Sequence, residues 1–455
     1  MKKTSIILLT AAFAACQPQY DMVPPEKFVP KHQEFEENWY VSQDGLGAKD
    51  GSDWDNALPF EKLLEAITSE ASSFANAGIH LQEGTYTIPT GDETAIQLAC
   101  NVLCLRGGYS KDLEADDLED CDASKYPTIF TGDKGFAKVS GVSVLFENIK
   151  FTGFKSSVFS IDGDHSITSV ECRNCIFDNN TSPVTTNGTA GGSCAYIFQG
   201  YFKAKNCVFT DNSSVSRGGA IRTNSRTAVT FLDGCYFKGN KIEKEWGSAV
   251  QCSAGVVCAN NCTMVGNIGK GSTLNGGGAF FIANCTIIDD SEPNGTNNAA
   301  FRCESKAEAG TTLINNIFSS SKDGGYGLIL NSKGILTSKG FNVFKSIYLG
   351  DGCVDPCIAT DLKKNIVLTG QANDDTACWS WDFNQISSSF SEFAVLDDIY
   401  DAAMVFDPST YCEISVLGRS YATWVTPDAF SVDGRGVERN ENGFIPGSYE
   451  PSNES

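Results

Sequence analysis

A chain of 455 residues is too long for one ordinary core, so its core must grow by repetition or divide. With 41% hydrophobic and 20% charged residues it packs rather than staying disordered, and its 44 glycines and 29 phenylalanines suit an all-β chain with tight corners. A net charge of −22 without a long Lys/Arg run repels polyanions, which excludes nucleic acid and disfavours acidic polysaccharides unless Ca²⁺ bridges them.

In chain order, MKKTSIILLTAAFAACQPQ comes first. Lys2 and Lys3 precede an apolar run from Ile6 to Ala15 that is too short to span a bilayer, which predicts an export signal over 1–15. Ala14-Ala15-Cys16 resembles a bacterial lipobox, with Phe13 departing from the usual aliphatic residue. That resemblance implies acylation of Cys16 and a membrane partner through the lipid. Residues 16–38, rich in proline and without periodicity, read as a tether.

The body is predicted over 39–345. Residues 57–75 carry Leu58, Leu63, Leu64 and Ile67 at helical spacing and predict a cap helix; 79–88 and 98–109 predict the first strands. Then a phrase recurs: RNCIFDNN at 173, KNCVFTDN at 205, DGCYFKGN at 233 and NNCTMVGN at 260. Aligned on its large residue, it places Phe151, Phe177, Phe209, Phe237, Met264, Ile287, Phe318 and Phe344 in one column, 23 to 32 residues apart. Two places earlier stand Ile149, Cys175, Cys207, Cys235, Cys262, Cys285, Asn316 and Asn342. Loose spacing with a fixed phrase predicts a solenoid, and stacked rungs of a parallel β-helix would lay each column as an inward ladder. The cysteines then serve as small packing units, and the Asn before them tolerates a left-handed corner.

A second inward column is expected at Phe159, Tyr196, Ile221, Val250, Phe301 and Leu328, followed two places on by Ile161, Phe198, Thr223, Cys252, Cys303 and Leu330. The turn between Ala279 and Cys285 is short and its register least defined. Residues 346–455, with Cys353, Cys357, Cys378 and Cys412, predict an irregular C-terminal cap.

WYVSQDGLGAKDGSDWDNA, LQEGTYTI, LRGGY and PTIFTGD resemble right-handed parallel β-helix lipoproteins of Bacteroidetes-type bacteria. The GGAI and NCxFxxN phrases are similar to polymorphic outer-membrane protein repeats, and DGRGVERNENGFIPGSYE to the closing phrase of that lipoprotein group. The resemblance implies an outer-membrane, cell-surface lipoprotein acting as a binding or adhesion scaffold, with a polysaccharide or a host or cell-surface molecule as ligand. The pectate lyase-like enzymes of this architecture supply the alternative, a polysaccharide lyase or hydrolase, in which Ca²⁺ would be the cofactor. Otherwise no cofactor or metal is expected.

Alternation places Asp162 and Asp164 on an outer strip with Gln199, Asn224, Ser253 and Glu304, beside Ser160, Ile197, Arg222, Gln251 and Arg302. A strip with both charge signs reads first as a solvated face, then as a saccharide groove. Asp289-Asp290 is the one acidic pair in the repeats with the form of a hydrolase dyad. Among His32, His80 and His165 no metal-ligand phrase appears; Cys172/Cys175 and Cys258/Cys262 fit the ladder, and Cys353/Cys357 read as a disulfide ahead of a metal site.

Overall fold

The computed structural model describes residue 35 and residues 37–69, 77–89, 95–100, 103–112, 121–164, 167–183, 191–295, 297–304, 310–331, 335–350, 353, 365–367, 393–406, 408, 420–425, 427–441, 443–444 and 446–448. Cys16, His32, His165, Cys357, Cys378, Cys412 and almost all of the 1–38 segment lie outside these residues. Among the described residues the strands form three long parallel sheets of 12, 11 and 10 strands. One coil shows the plan: Ala228–Asp233 lies in the first sheet, Tyr236–Lys238 in the second and Val250–Cys252 in the third, before Val256–Asn260 returns to the first. The chain is a parallel β-helix.

Its inside follows from period-two alternation in strands whose neighbours are in register. Phe151, Phe177, Phe209, Phe237, Met264, Ile287, Phe318 and Phe344 pair successively along the second sheet. The rings of Phe177, Phe209 and Phe237 stack at 4.8 and 4.4 Å with planes 4° and 5° apart. Cys175, Cys207, Cys235, Cys262 and Cys285 form the neighbouring column as buried free thiols, each donating to a backbone carbonyl, as Cys235 does to Ala204 at 3.3 Å. Burial and adjacent thiols hold Cys172, Cys207 and Cys262 well above the ordinary thiol range, so they behave as packing groups.

The corner before each cysteine requires a positive φ. Asn148, Asn174, Asn206, Asn261, Asn284 and Asn315 adopt it at 51–58°, with Gly234 and Phe341 at 60° in two turns that lack Asn there. A second ladder closes the other end of the second sheet: Asn180, Asn212, Asn240 and Asn267, all fully buried. The amides of Asn180, Asn212 and Asn240 each donate to the Oδ1 of the next at 2.9–3.0 Å, and all four donate to the carbonyl of a residue in the preceding coil.

Helix α1, Phe60–Ile67, is shorter than the predicted cap helix; it buries Leu63, Leu64 and Ile67 as expected and adds Phe60, while Leu58 stands before it in a two-residue strand, half-buried. Phe60 meets Tyr86 at 4.8 Å and Phe130 at 5.5 Å, so the helix covers the start of the ring column. The C-terminal region does something the sequence did not suggest. Ile347–Leu349 and Asn365–Val367 continue the third and second sheets, while the residues described from 393 onward, including helix α2 (Leu396–Val405), lie along the flank of the solenoid on the outer face of the first sheet. Ile399, Ala403, Phe406, Tyr421 and Phe430 bury Phe231, Cys258, Phe281 and Ile314 there. The closing phrase then clasps the asparagine corner: Arg439 donates to Asn261 Oδ1 and to the Gly447 carbonyl at 3.0 Å, and Gly447 N–H donates to the Asn315 carbonyl at 2.9 Å. Cys353, expected in a disulfide whose partner the sequence leaves open, is instead a free thiol 3.3 Å from the Leu330 carbonyl.

Candidate functional site

Two rows on the outer face of the third sheet carry the candidate strip. The first is Gln97, Lys138, Ser160, Tyr196, Arg222, Gln251, Asn275 and Arg302, paired successively about 4.8 Å apart. The second, set by backbone bonds at the strand ends, runs Phe198, Asn224, Ser253, Gly277 and Glu304.

This corrects the predicted register of one coil by a single residue. Ala195, not Tyr196, pairs with Phe159 and Ile221 inside, so Tyr196 takes the outer place assigned to Ile197. Ile197 turns inward, and Phe198, expected inside, is 38% exposed in the row where Gln199 was expected; Gln199 lies one residue further on. The physical reason is the GG turn. Gly192 and Gly218 hold φ of 66° and 69°, and a Cβ there would come within 2.2 and 2.3 Å of the Ala195 and Ile221 carbonyls. The turn therefore fixes the third residue after its left-handed glycine as inward, a count that aromatic size alone does not reveal. The coil at Leu274–Gly276 was also missed, because only Gly277 and Gly278 separate it from the next strand.

The strip is less solvated than alternation suggests. Arg222, Gln251, Asn275 and Arg302 are nearly or fully buried, while Asn224, Ser253 and Glu304 are half-buried beside them. Arg222 donates to Asn224 Oδ1 at 2.9 Å and lies over the Tyr196 ring at 5.6 Å; Asn224 in turn donates to the Tyr196 hydroxyl at 2.9 Å. Burial, with help from the nearby Arg217, holds the Arg222 guanidinium below the ordinary arginine value. Arg302 pairs with Glu304 at 2.7 Å, donates to Asn297 at 2.8 Å and sits 5.1 Å over Trp246. Gln251 accepts from Ser253 at 2.8 Å. At Gly277 a Cβ would meet nothing nearer than 3.4 Å, which leaves a bare step between Ser253 and Glu304.

Asp162 and Asp164 are exposed at the start of this face, and partial burial raises the Asp162 carboxyl above the usual range. The strip therefore brings together Arg222, Asn224, Gln251, Arg302 and Glu304. It adds Tyr196 and Phe198, which were expected inside, and Trp246, which the sequence did not single out. Among the described residues no group of three His, Cys, Asp or Glu side chains is arranged to hold a metal ion.

Asp289-Asp290, the other candidate, is structural. Asp289 pairs with Asn267 after a one-residue register shift past Met264 and so occupies the end of the asparagine ladder. It is fully buried, accepting from Thr273 at 2.9 Å and Ser291 at 3.1 Å through one oxygen, while its other oxygen has no hydrogen-bond partner. Burial, then the Asp290 charge, push its carboxyl well above the usual range. A carboxyl raised in the folded state contributes full stability below its unfolded value near 3.8, and loses it as pH rises toward the folded value. Asp289→Asn is expected to raise the melting temperature at pH 8, with a gain that shrinks as pH falls toward 4. A gain that ignores pH, or none, would contradict the burial of this carboxyl.

No family model and no curated protein matches the chain. Two solved structures are similar. One is the pectate lyase Pel9A, at 15% identity and a TM-score of 0.42, covering 92% of this chain and 97% of that one. The other is a pectate lyase variant from Xanthomonas campestris, at 15% identity and a TM-score of 0.29, covering 63% and 84%. At this distance neither carries a residue role or an activity to the present chain.

Proposed function

We propose that this protein is an exported, lipid-anchored binding scaffold of the cell surface whose outer strip on the third sheet receives a glycan. The observation that carries the reading is Phe198, an exposed aromatic ring in one row with Asn224, Ser253, the bare step at Gly277, and Glu304. An aromatic face suits the apolar face of a sugar ring, and amide, hydroxyl and carboxyl groups at rung spacing suit its hydroxyls. The buried arginines behind them hold these groups in place through the Asn224 and Glu304 contacts. The anchor rests on Cys16 and the tether after it.

A lyase or hydrolase built on Asp162, Asp164, Arg222 and Arg302 draws less support. Both guanidiniums are hydrogen-bonded to neighbouring side chains, a poor arrangement for a base that must take a substrate proton. The test is a glycan array with protein lacking residues 1–16. Phe198→Ala and Glu304→Ala are each expected to weaken binding about tenfold with the fold intact. Absence of binding to every glycan, or binding indifferent to both changes, refutes the reading. New reducing ends or unsaturated products from any bound polysaccharide would favour the enzyme. Cys16→Ser in the full chain is expected to abolish partitioning into detergent.

A further inference from the structure

On the outer row of the third sheet one short side chain stands between two long ones. Asn275 pairs with Gln251 on one side and Arg302 on the other, and it is fully buried. Among the described residues neither its Nδ2 nor its Oδ1 has a hydrogen-bond partner, and the Arg302 Nε of the next rung has none either. The flanking groups are engaged elsewhere: Gln251 Oε1 accepts from Ser253 at 2.8 Å, and the Arg302 head is held by Glu304 at 2.7 Å and Asn297 at 2.8 Å. A buried carboxamide ordinarily finds partners, because its lost hydration is otherwise uncompensated. Two donors and an acceptor left orphaned on adjacent rungs therefore mark a place that a partner from outside the chain fits. The way in is close by: Gly277, two residues along the chain, is the bare step between Ser253 and Glu304, and a turn of the Asn275 side chain toward it moves no backbone.

We propose that Asn275 is the specificity-determining residue of the strip and selects a neutral glycan by a vicinal pair of hydroxyls. One hydroxyl donates to Oδ1, and its neighbour accepts from Nδ2, with Arg302 Nε as a second donor to it. This inference rests on the glycan reading and adds the class of sugar. Charge decides against an acidic chain. The Arg302 guanidinium is paired with Glu304, Arg222 is engaged with Asn224 and Tyr196, and Asp162 and Asp164 stand exposed at the start of the face in a protein of net charge −22.

The probes are mannohexaose, cellohexaose, laminarihexaose and oligogalacturonate, titrated against the chain lacking residues 1–16. Sugars of the first two keep a vicinal hydroxyl pair, the inner sugars of laminarihexaose keep none, and oligogalacturonate has the pair together with a carboxylate. Mannohexaose or cellohexaose is expected to bind about tenfold or more tighter than the last two. Asn275→Leu, which keeps the outline of the amide without its polar atoms, should erase that preference; Asn275→Ala serves if leucine does not fit. Phe198→Ala should weaken every binding probe and keep the ranking. Where the array finds a different glycan, periodate oxidation and reduction, which destroy vicinal pairs, should abolish its binding. A preference unchanged by both Asn275 variants at matched melting temperature, laminarihexaose or oligogalacturonate bound as tightly as the neutral paired chains, or binding that survives periodate overturns this inference and leaves the scaffold reading standing. Binding to no probe and to no array glycan removes both.

Discussion

Phe209→Ala is expected to cost about 3–5 kcal/mol of folding stability in urea or thermal unfolding. The ring is fully buried and stacked on both sides, 4.8 Å from Phe177 and 4.4 Å from Phe237. Its removal opens a cavity in the middle of a column, and the coils above and below cannot collapse into it without breaking register. In a solenoid each coil rests on its neighbours, so the damage should also split the unfolding transition into two phases. Phe209→Leu keeps most of the volume and should cost less than about 1.5 kcal/mol. A loss under about 1 kcal/mol for the alanine variant would show that the column is not what holds the coils together.

The second large effect is expected from Asn212→Ala, about 3 kcal/mol or more. Asn212 Oδ1 accepts from the Asn180 backbone N–H and side-chain amide at 3.0 Å, and its Nδ2 donates to the Phe177 carbonyl and Asn240 Oδ1 at 2.9 Å. Alanine removes all four bonds at a site without exposure, leaving buried polar groups whose loss of water is uncompensated. Asn212→Asp keeps the acceptors but loses the donors and buries a charge, so it should be worse near neutral pH than in acid. Chemical denaturation at pH 5 and pH 8 separates the two variants. If both unfold at the wild-type midpoint, the ladder contributes nothing net.

The inward columns were legible because they obey one rule, a large apolar residue every second position in strands that repeat a phrase. Every member of the Phe151 to Phe344 column pairs as read. The Asn180 ladder was present in the same phrases, as the Asn three places after each large residue in the FDNN, FTDN, FKGN and MVGN segments, yet composition gives such an Asn no reason to be inside. Only the hydrogen bonds along the stack supply one. The strip was half legible: Arg222, Asn224, Gln251, Arg302 and Glu304 stand where alternation put them. Tyr196, Phe198 and Gln199 did not, because in CAYIF the small residue Ala195 is the inward one and the turn at Gly192 sets the count. The flank made by 393–448 has no periodic signature, since it follows a surface rather than a repeat.

That flank has a consequence for how the molecule is made. Coils can stack as the amino-terminal part emerges, but Phe231, Phe281 and Ile314 stay bare until the segments from residue 393 onward arrive, with Arg439 reaching back to Asn261 and Gly447 to Asn315 at the close. Completion of the polypeptide is thus written into its solubility: a chain cut short before residue 393 displays a greasy ridge that attracts its own kind or a protease, whereas the finished one hides it.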